Sequence, residues 1–498
     1  MNIRKISIKI FASLLLVSGL VGCNDQMDTD PSTGLDDKLV LRSTTNLNML
    51  LQGVYRDVHF GRSGSTVYRG VAGLCMYPDL SGNDIVMSPN IGSGPHLSVY
   101  LHAPARIIGD ETSGLGWQIW YDMYNLINTC NIIIDNIESS AGDAVLRNDV
   151  WGQALAIRGY CYFQLIQNFQ KTYSVAKDRP GVILRTSFLD SYHKGRATVE
   201  QVYTQITDDL TLAKTKLENF NRGIAKNYID KYVIAGLLAR VYLVMGEGFW
   251  DKCEAEADFA YQAFSTLMTR EQFRSGFANA SYPEIIWATY QFADLNMGWD
   301  NQRAFWGNQP DFTTPAVAYT AFFANKEYEK LFDATEDRYQ FRHRTDINTD
   351  LWAYEKWFEL EVDAKRLGDI PLMRGAEMLL MRAEAKANQG NTTGAREDLN
   401  TLQAARAVPA AKMTTTTDKF QLLEAIYTER RKELLGEGVT GTFDLLRLNR
   451  PLMREGDHRN DAGVNIPAND YRFICQIPYK EMDYNDALSD KDQNPMKN

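Results

Sequence analysis

Two stretches carry side chains of the kinds that hold sugars. FADLNMGWDNQRAFWG, residues 292–307, sets Trp299 and Trp306 around Asn301, Gln302 and Arg303 in a polar setting punctuated by glycine. MYPDLSGNDIVMSPN, residues 76–90, offers Tyr77, Asp79, Asn83 and Asp84. A flat aromatic face covers the C–H surface of a sugar ring, while amides, carboxylates and guanidinium groups satisfy its hydroxyls. Tyr77, Asp79, Asn83, Asp84, Trp299, Asn301, Arg303 and Trp306 are therefore the candidate glycan contacts. The competing reading is that each tryptophan merely seats its loop on the core. Trp352 and Trp357, in DLWAYEKWFELEV, read as core or edge-strand packing.

Catalytic signatures fail their context. Gly436-x-Gly438-x-x-Gly441 matches a dinucleotide fingerprint as a string, but it follows the helical EAIYTERRKELL where the fingerprint needs a strand. It reads as a helix end and turn. The histidines, His59, His96, His102, His193, His343 and His458, have neither HExxH nor zinc-site spacing. Asp490-x-Asp492-x-Asn494 starts like a calcium loop, yet Pro495 stands where glycine is required. No Gly-x-Ser-x-Gly is present. The sequence implies no metal and no cofactor. A glycan hydrolase needs only two carboxylates that meet in space, so the 63 acids leave that reading open.

The N-terminus says where these side chains work. Arg4, Lys5 and Lys9 precede an uncharged run, Ile10 to Val21, shorter than the ~18 apolar residues of a spanning helix. It reads as a signal peptide. The run ends in Leu20-Val21-Gly22-Cys23, which resembles the bacterial lipobox, where the cysteine is acylated and becomes the new N-terminus. Two or more acyl chains anchor a protein stably. Asp25, Asp28 and Asp30 follow, so residues 23–40 read as a solvated tether between a lipidated Cys23 and the folded protein.

With 53 Lys+Arg against 63 Asp+Glu, the chain has no footprint for nucleic acid. Its 44% apolar and 11% aromatic residues, with only 15 prolines, suit a globular chain with a large core. Cys75, Cys130, Cys161, Cys253 and Cys475 lack CxxC spacing and read as small buried hydrophobes rather than a disulfide framework.

Apolar residues recur at three and four positions over 117–137, 150–170, 199–217 and 228–245, and later over 371–389, 394–407 and 418–435, with a short piece at 443–449. That period predicts helices with one buried face. Thr198 is placed to cap the third. Two regions repeat each other: Ala239 and Gly246 stand seven apart, as do Ala383 and Gly390. Downstream, Cys253, Ala257 and Ala260 match Ala395, Leu399 and Leu402 in spacing. A small residue on each helix with glycine at the turn is how tetratricopeptide hairpins pack closely. Residues 60–116 and 271–370 lack sustained period and read as long loops with short strands.

Several motifs, in order along nearly the whole chain, resemble the SusD/RagB family of outer-membrane nutrient-binding lipoproteins. After the lipobox come RATVEQVYTQITDDLTLA, KYVIAGLLARVYLVMGEGFW and PLMRGAEMLLMRAEAKANQG. Then follow Glu429-Arg430, Glu433-Leu434, Glu437-Gly438, Asp444-Leu445, Ile477-Pro478, Glu481, Asn485 and Gln493-Asn494-Pro495. Two departures stand out. Val439-Thr440-Gly441-Thr442 occupies the place of a family arginine, and Met496-Lys497 that of a final Gly-Tyr.

The resemblance implies an all-α fold of tetratricopeptide-like hairpins in a SusD-like superhelix, with loop-rich insertions carrying short strands. It implies a cell-surface protein in the outer membrane that binds an oligosaccharide without catalysis and passes it, as a lid, to a SusC-like TonB-dependent transporter. Similar proteins place their ligand on loops falling near 75–101 and 290–310. The expected divisions are a signal peptide (1–22), tether (23–40), N-terminal helical region (41–270) with binding loop 60–116, aromatic insertion (271–370), and C-terminal helical region and tail (371–498). The alternative functions are a peptide- or protein-binding surface lipoprotein and a glycan hydrolase.

Overall fold

A computed structural model describes residues 41–62, 70–88, 95–102, 114–290, 322–344, 350–357, 360–362, 365–459 and 465–496. Cys23, Trp299, Asn301, Arg303 and Trp306 lie outside the described residues.

The predicted helices form, joined by one at 44–60, and those opening at Ala144, Val199, Lys231, Thr392 and Lys419 begin where a side chain satisfies first-turn N–H groups. α1 is Thr44–Phe60, α2 Leu115–Ile137 and α3 Ala144–Phe169. Asp143 opens α3 by accepting from the Leu146 N–H, and Thr198 opens α4 (Val199–Lys216) through a reciprocal capping box with Gln201. Asp230 caps α5 (Lys231–Met245), which turns back into α6 (Trp250–Ala263). α7 (Gly375–Asn388), α8 (Thr392–Ala405) and α9 (Lys419–Leu434) complete the long helices. From α2 to α8 each packs on the next, and α9 packs on α7 and α8.

The internal repeat is a pair of such hairpins. Gly246 (φ 74°) and Gly390 (φ 88°) follow α5 and α7 in a backbone region that favours glycine. Cys253 is fully buried against α5 and donates from Sγ to the Ala239 carbonyl at 3.4 Å. Ala383 and Ala395 are equally buried in the second hairpin. None of the five described cysteines is in a disulfide.

One helix starts later than its pattern suggests. Residues 371–374 belong to β8 (Ile370–Arg374), buried throughout and antiparallel to β2 (Ile285–Thr289). Gly375 sits so near Phe264 that a Cβ would lie 2.2 Å from its carbonyl oxygen, so the chain needs glycine where it leaves the strand. Four more strands form one antiparallel sheet, β1 (Ile85–Met87), β3 (Phe322–Ala324), β5 (Leu351–Tyr354) and β4 (Phe341–Arg344) in that spatial order. β6 (Leu360–Val362) and β7 (Lys365–Leu367) make a small hairpin. Trp352 is thereby on an internal strand rather than an edge, while Trp357 is a core residue, 1% exposed.

The main apolar cluster runs from Leu47 to Leu488 and takes in Ile285, Phe322, Tyr354 and Trp357 from the loop-rich stretch, and a second one is built by α7, α8 and α9. Beside the main cluster lies a buried ionic network. The Arg374 guanidinium donates to both Glu437 oxygens at 2.7 and 2.8 Å, to Glu433 at 3.0 Å and to Glu284. Arg406 pairs with Glu433 and Glu284, Lys356 with Glu437, and Arg338 with Glu336, Glu429 and Glu433. Lys432 adds a contact to Glu336. Five cations face five carboxylates, so the cluster is neutral as a whole. Charge pairs this deep are tolerated only when fully partnered. Arg374, Glu433 and Glu437 are among the motif residues that carried the family resemblance, and their work is internal.

Candidate functional site

The stretch 76–90 folds inward instead of presenting its polar groups. Tyr77 is 3% exposed, with its ring stacked 5.9 Å from His96. The buried Asp79 carboxylate accepts from the Gly436 N–H at 2.8 Å and the Thr440 hydroxyl at 2.7 Å. Burial pushes its pKa up to about 7 despite these donors. Asp84 is clamped by Arg431 through two hydrogen bonds of 2.5 and 3.0 Å. The Asn83 carbonyl accepts from Asn325 and His458, each at 3.0 Å. Tyr77, Asp79 and Asp84 are thus closed off from an external ligand, a correction to the sequence expectation. Asn83 remains half-buried. The physical reason is internal demand: the 436–442 turn needs an acceptor, which Asp79 supplies, and the Arg431 guanidinium of α9 needs a carboxylate, which Asp84 supplies.

The sugar-type constellation among the described residues lies elsewhere, along α2. Trp117, Tyr121, Asn125 and Asn128 follow one another at four, four and three residues, which places them on one stripe of that helix. The Trp117 and Tyr121 rings stack, 4.9 Å apart and 14° from parallel. Facing them are residues 185–192, with Phe188 52% and Tyr192 48% exposed. Pro478, Lys480 and Glu481 close one end of a groove of about 510 Å³. That volume lies within the ~300–1,000 Å³ of small-molecule sites.

The walls are held by buried polar contacts. The Tyr124 hydroxyl donates to the Ile183 carbonyl at 2.7 Å and accepts from the Ile183 N–H at 3.0 Å. Asn131 donates to the Arg185 carbonyl at 2.8 Å. Arg185 donates to Glu481 at 2.9 Å and lies 5.0 Å from the Tyr192 ring centre and 5.4 Å from that of Tyr124. Such cation–π contacts fix both rings relative to the guanidinium. Trp120 Nε1 donates to the other Glu481 oxygen at 3.3 Å.

The groove's acids are poorly placed to cleave a glycan. Glycoside hydrolysis needs a carboxylic acid kept protonated by its surroundings. Of the two carboxylates lining the groove, Glu481 is engaged by Arg185 and Trp120. Asp190 is held below its usual range: burial acts upward, but the Thr186 N–H and Lys194 outweigh it. Among the described residues no group of His, Cys, Asp and Glu is arranged to hold a metal ion.

Apolar spacing marks the buried face of α2, with Trp120 and Tyr124, but not the adjoining stripe that starts at Trp117. Its signal was an aromatic pair at i and i+4 followed by two asparagines. Residues 185–192 and 478–481 carried no local signal, because only the fold brings them to α2. The C-terminal motif residues hold the tail that supplies part of this wall. Arg196 donates to the carbonyl of Asp492 at 2.5 Å and to Asn494 Oδ1 at 3.0 Å. Asn494 donates to the Phe169 and Cys475 carbonyls, and Asn485 to that of Lys194.

Comparison with known proteins agrees with this architecture. Residues 110–243 match a family model described as starch-binding and associating with the outer membrane, and residues 327–496 match that of the SusD family. SusD-like protein P38 of Formosa agariphila is 25% identical over 382 residues, 66% of this chain and 72% of that protein. A solved SusD-like carbohydrate-binding protein from Bacteroides vulgatus superposes with a TM-score of 0.79 at 26% identity, covering 91% of this chain and 98% of its own. A laminarin-binding SusD-like protein superposes with a TM-score of 0.70 at 18% identity, covering 91% and 100%. Among the described residues no helix is long and apolar enough to cross a membrane. The ordered motifs, the helix stack and these matches together place the chain in the SusD family.

Proposed function

We propose that this protein is a cell-surface lipoprotein that captures an oligosaccharide and hands it, as a lid, to a TonB-dependent transporter of the SusC type, making and breaking no bond. The observation that carries this reading is the groove along α2, where stacked Trp117 and Tyr121 face Phe188 and Tyr192 beside Arg185 and two asparagines. The outer-membrane association of the matched family and the carbohydrate ligands named for its relatives support it. In this reading Cys23 carries the lipid anchor, and Trp299, Asn301, Arg303 and Trp306 supply further sugar contacts chosen by residue type.

A broad glycan panel followed by titration tests it. At least one oligosaccharide binds, and Tyr121→Ala, Tyr192→Ala, Trp299→Ala and Trp306→Ala each weaken it severalfold while leaving the melting temperature unchanged. A panel without hits overturns the reading, and new reducing ends after incubation overturn its non-catalytic part. A Cys23→Ala protein that still fractionates with the outer membrane in cells lacking the transporter removes the anchor.

A second reading, capture of a peptide, is favoured by one observation. A groove of about 500 Å³ between residues 243–250 and the start of α9 is lined by Trp250 and Tyr427, by Phe420, which is 77% exposed, and by Glu424 and Arg450. Peptide binding lost in Phe420→Ala, with no glycan bound, would replace the first reading.

A further inference from the structure

A smaller cavity, about 210 Å³, opens where the end of α1 meets residues 227–228 and the end of β2. It falls below the ~300 Å³ of the smallest drug-sized pockets, a size suited to one sugar ring. Tyr228, Trp287 and Phe60 supply aromatic walls. Two buried polar atoms in its lining, His59 Nε2 and Thr289 Oγ1, have no hydrogen-bond partner. Thr289 is only 5% exposed. Buried donors and acceptors without partners call for an explanation, and at a cavity wall a bound hydroxyl group supplies one. Burial lowers the His59 pKa to about 4, so its ring is neutral and offers one lone pair and one N–H.

The charge around the cavity is equally specific. In a chain with an excess of acids, no described lining residue is Asp or Glu. Arg56, one turn before His59 on α1, lines the cavity, is exposed and makes no ion pair with a described residue. The nearby acids are already engaged, Asp57 by Arg62 at 2.5 Å and Asp230 by Arg222 at 2.8 Å. A pocket whose described lining holds no acid, with a guanidinium that no described acid pairs, favours a carboxylate.

We propose that this pocket takes a single uronic acid residue of an acidic glycan, with its ring against the aromatic walls, its hydroxyls on Thr289 and His59, and its carboxylate on Arg56. The proposal rests on the reading of the ligand as a saccharide but places it apart from the α2 groove.

The test is titration of the protein with D-glucuronate, D-galacturonate and D-mannuronate, each beside its neutral hexose. At least one uronate binds about tenfold more tightly than its hexose. Arg56→Gln abolishes that preference, and raised salt shrinks it because the Arg56 charge is exposed. Thr289→Val weakens the uronate at least threefold, whereas Tyr192→Ala in the α2 groove leaves it unchanged. Hexoses binding as tightly as uronates, a preference that survives Arg56→Gln, or no binding of either class overturns the proposal. Should Thr289→Val fold poorly, the exposed Arg56→Gln decides alone. Failure here with neutral oligosaccharides still bound at the α2 groove sinks this inference and spares the reading it rests on.

Discussion

The Asp79 carboxylate accepts the Gly436 backbone N–H at 2.8 Å, joining positions 357 residues apart in one turn. The contact fastens the stretch before β1 to the segment after α9. Its carboxyl pKa, raised by burial from 3.8 to about 7, means that the folded state holds the proton more tightly than the unfolded chain. Stability from this group therefore rises as pH falls from about 7 to about 4 and is flat outside that window. Wild type should gain on Asp79→Asn across that interval in urea unfolding at several pH values. A stability difference independent of pH would refute the assignment.

Glu433 has the opposite sign. Burial alone would raise its pKa, but Arg406, Arg374 and Arg338 hold it well below the usual carboxylate range. Its contribution is present above the ordinary 4.5 and is lost as pH falls below it. Glu433→Gln leaves three guanidinium groups under-partnered in the core and should cost ~3–5 kcal/mol at pH 7. The penalty should shrink in acid. Denaturant titrations at pH 7 and pH 4 measure both.

Gly441→Ala and Gly53→Ala should move stability in opposite directions. Gly441 has φ 58°, and a Cβ there would lie 2.1 Å from the Pro78 carbonyl oxygen, so alanine should cost at least ~2 kcal/mol. Gly53 lies inside α1, with nothing within 4 Å of a Cβ. Alanine there should stabilise by ~0.5–1 kcal/mol through helix propensity. Melting curves of the two variants decide the matter.

Neighbouring aromatics of α2 should separate binding from folding. Trp120 is 5% exposed and packs on Phe169 and Tyr124, so Trp120→Ala should cost ~3–5 kcal/mol. Tyr121, 39% exposed, stacks only on Trp117 among the described rings, and Tyr121→Ala should leave unfolding nearly unchanged while weakening glycan binding. Equal loss of stability in the two variants would assign Tyr121 to the core.

Much of the helical scaffold was legible because helix faces are local. A period of three to four, Thr198 before Val199, and glycines at 246 and 390 are each written within a few residues. The GxGxxG string was also readable as a turn: Gly436, Gly438 and Gly441 all have positive φ, and a Cβ on Gly438 would meet Cys75 Cα at 2.7 Å. The start of α7 was misplaced because residues 371–374 look equally apolar as strand or helix, and pairing with β2 settles which.

The amino-acid sequence determined the helices, the hairpin repeat and the kinship, since each depends on spacing along the chain. Tertiary structure alone decided what the polar residues do. Asp79 and Asp84 look like ligand contacts in isolation, but Gly436, Thr440 and Arg431, hundreds of residues away, consume their oxygens. Trp117 and Tyr121 look like ordinary helix surface until residues 185–192 and 478–481 face them across a groove. A side chain's chemistry is fixed by its type, but whether it is free to meet a ligand depends on burial and on partners that only the folded chain brings near.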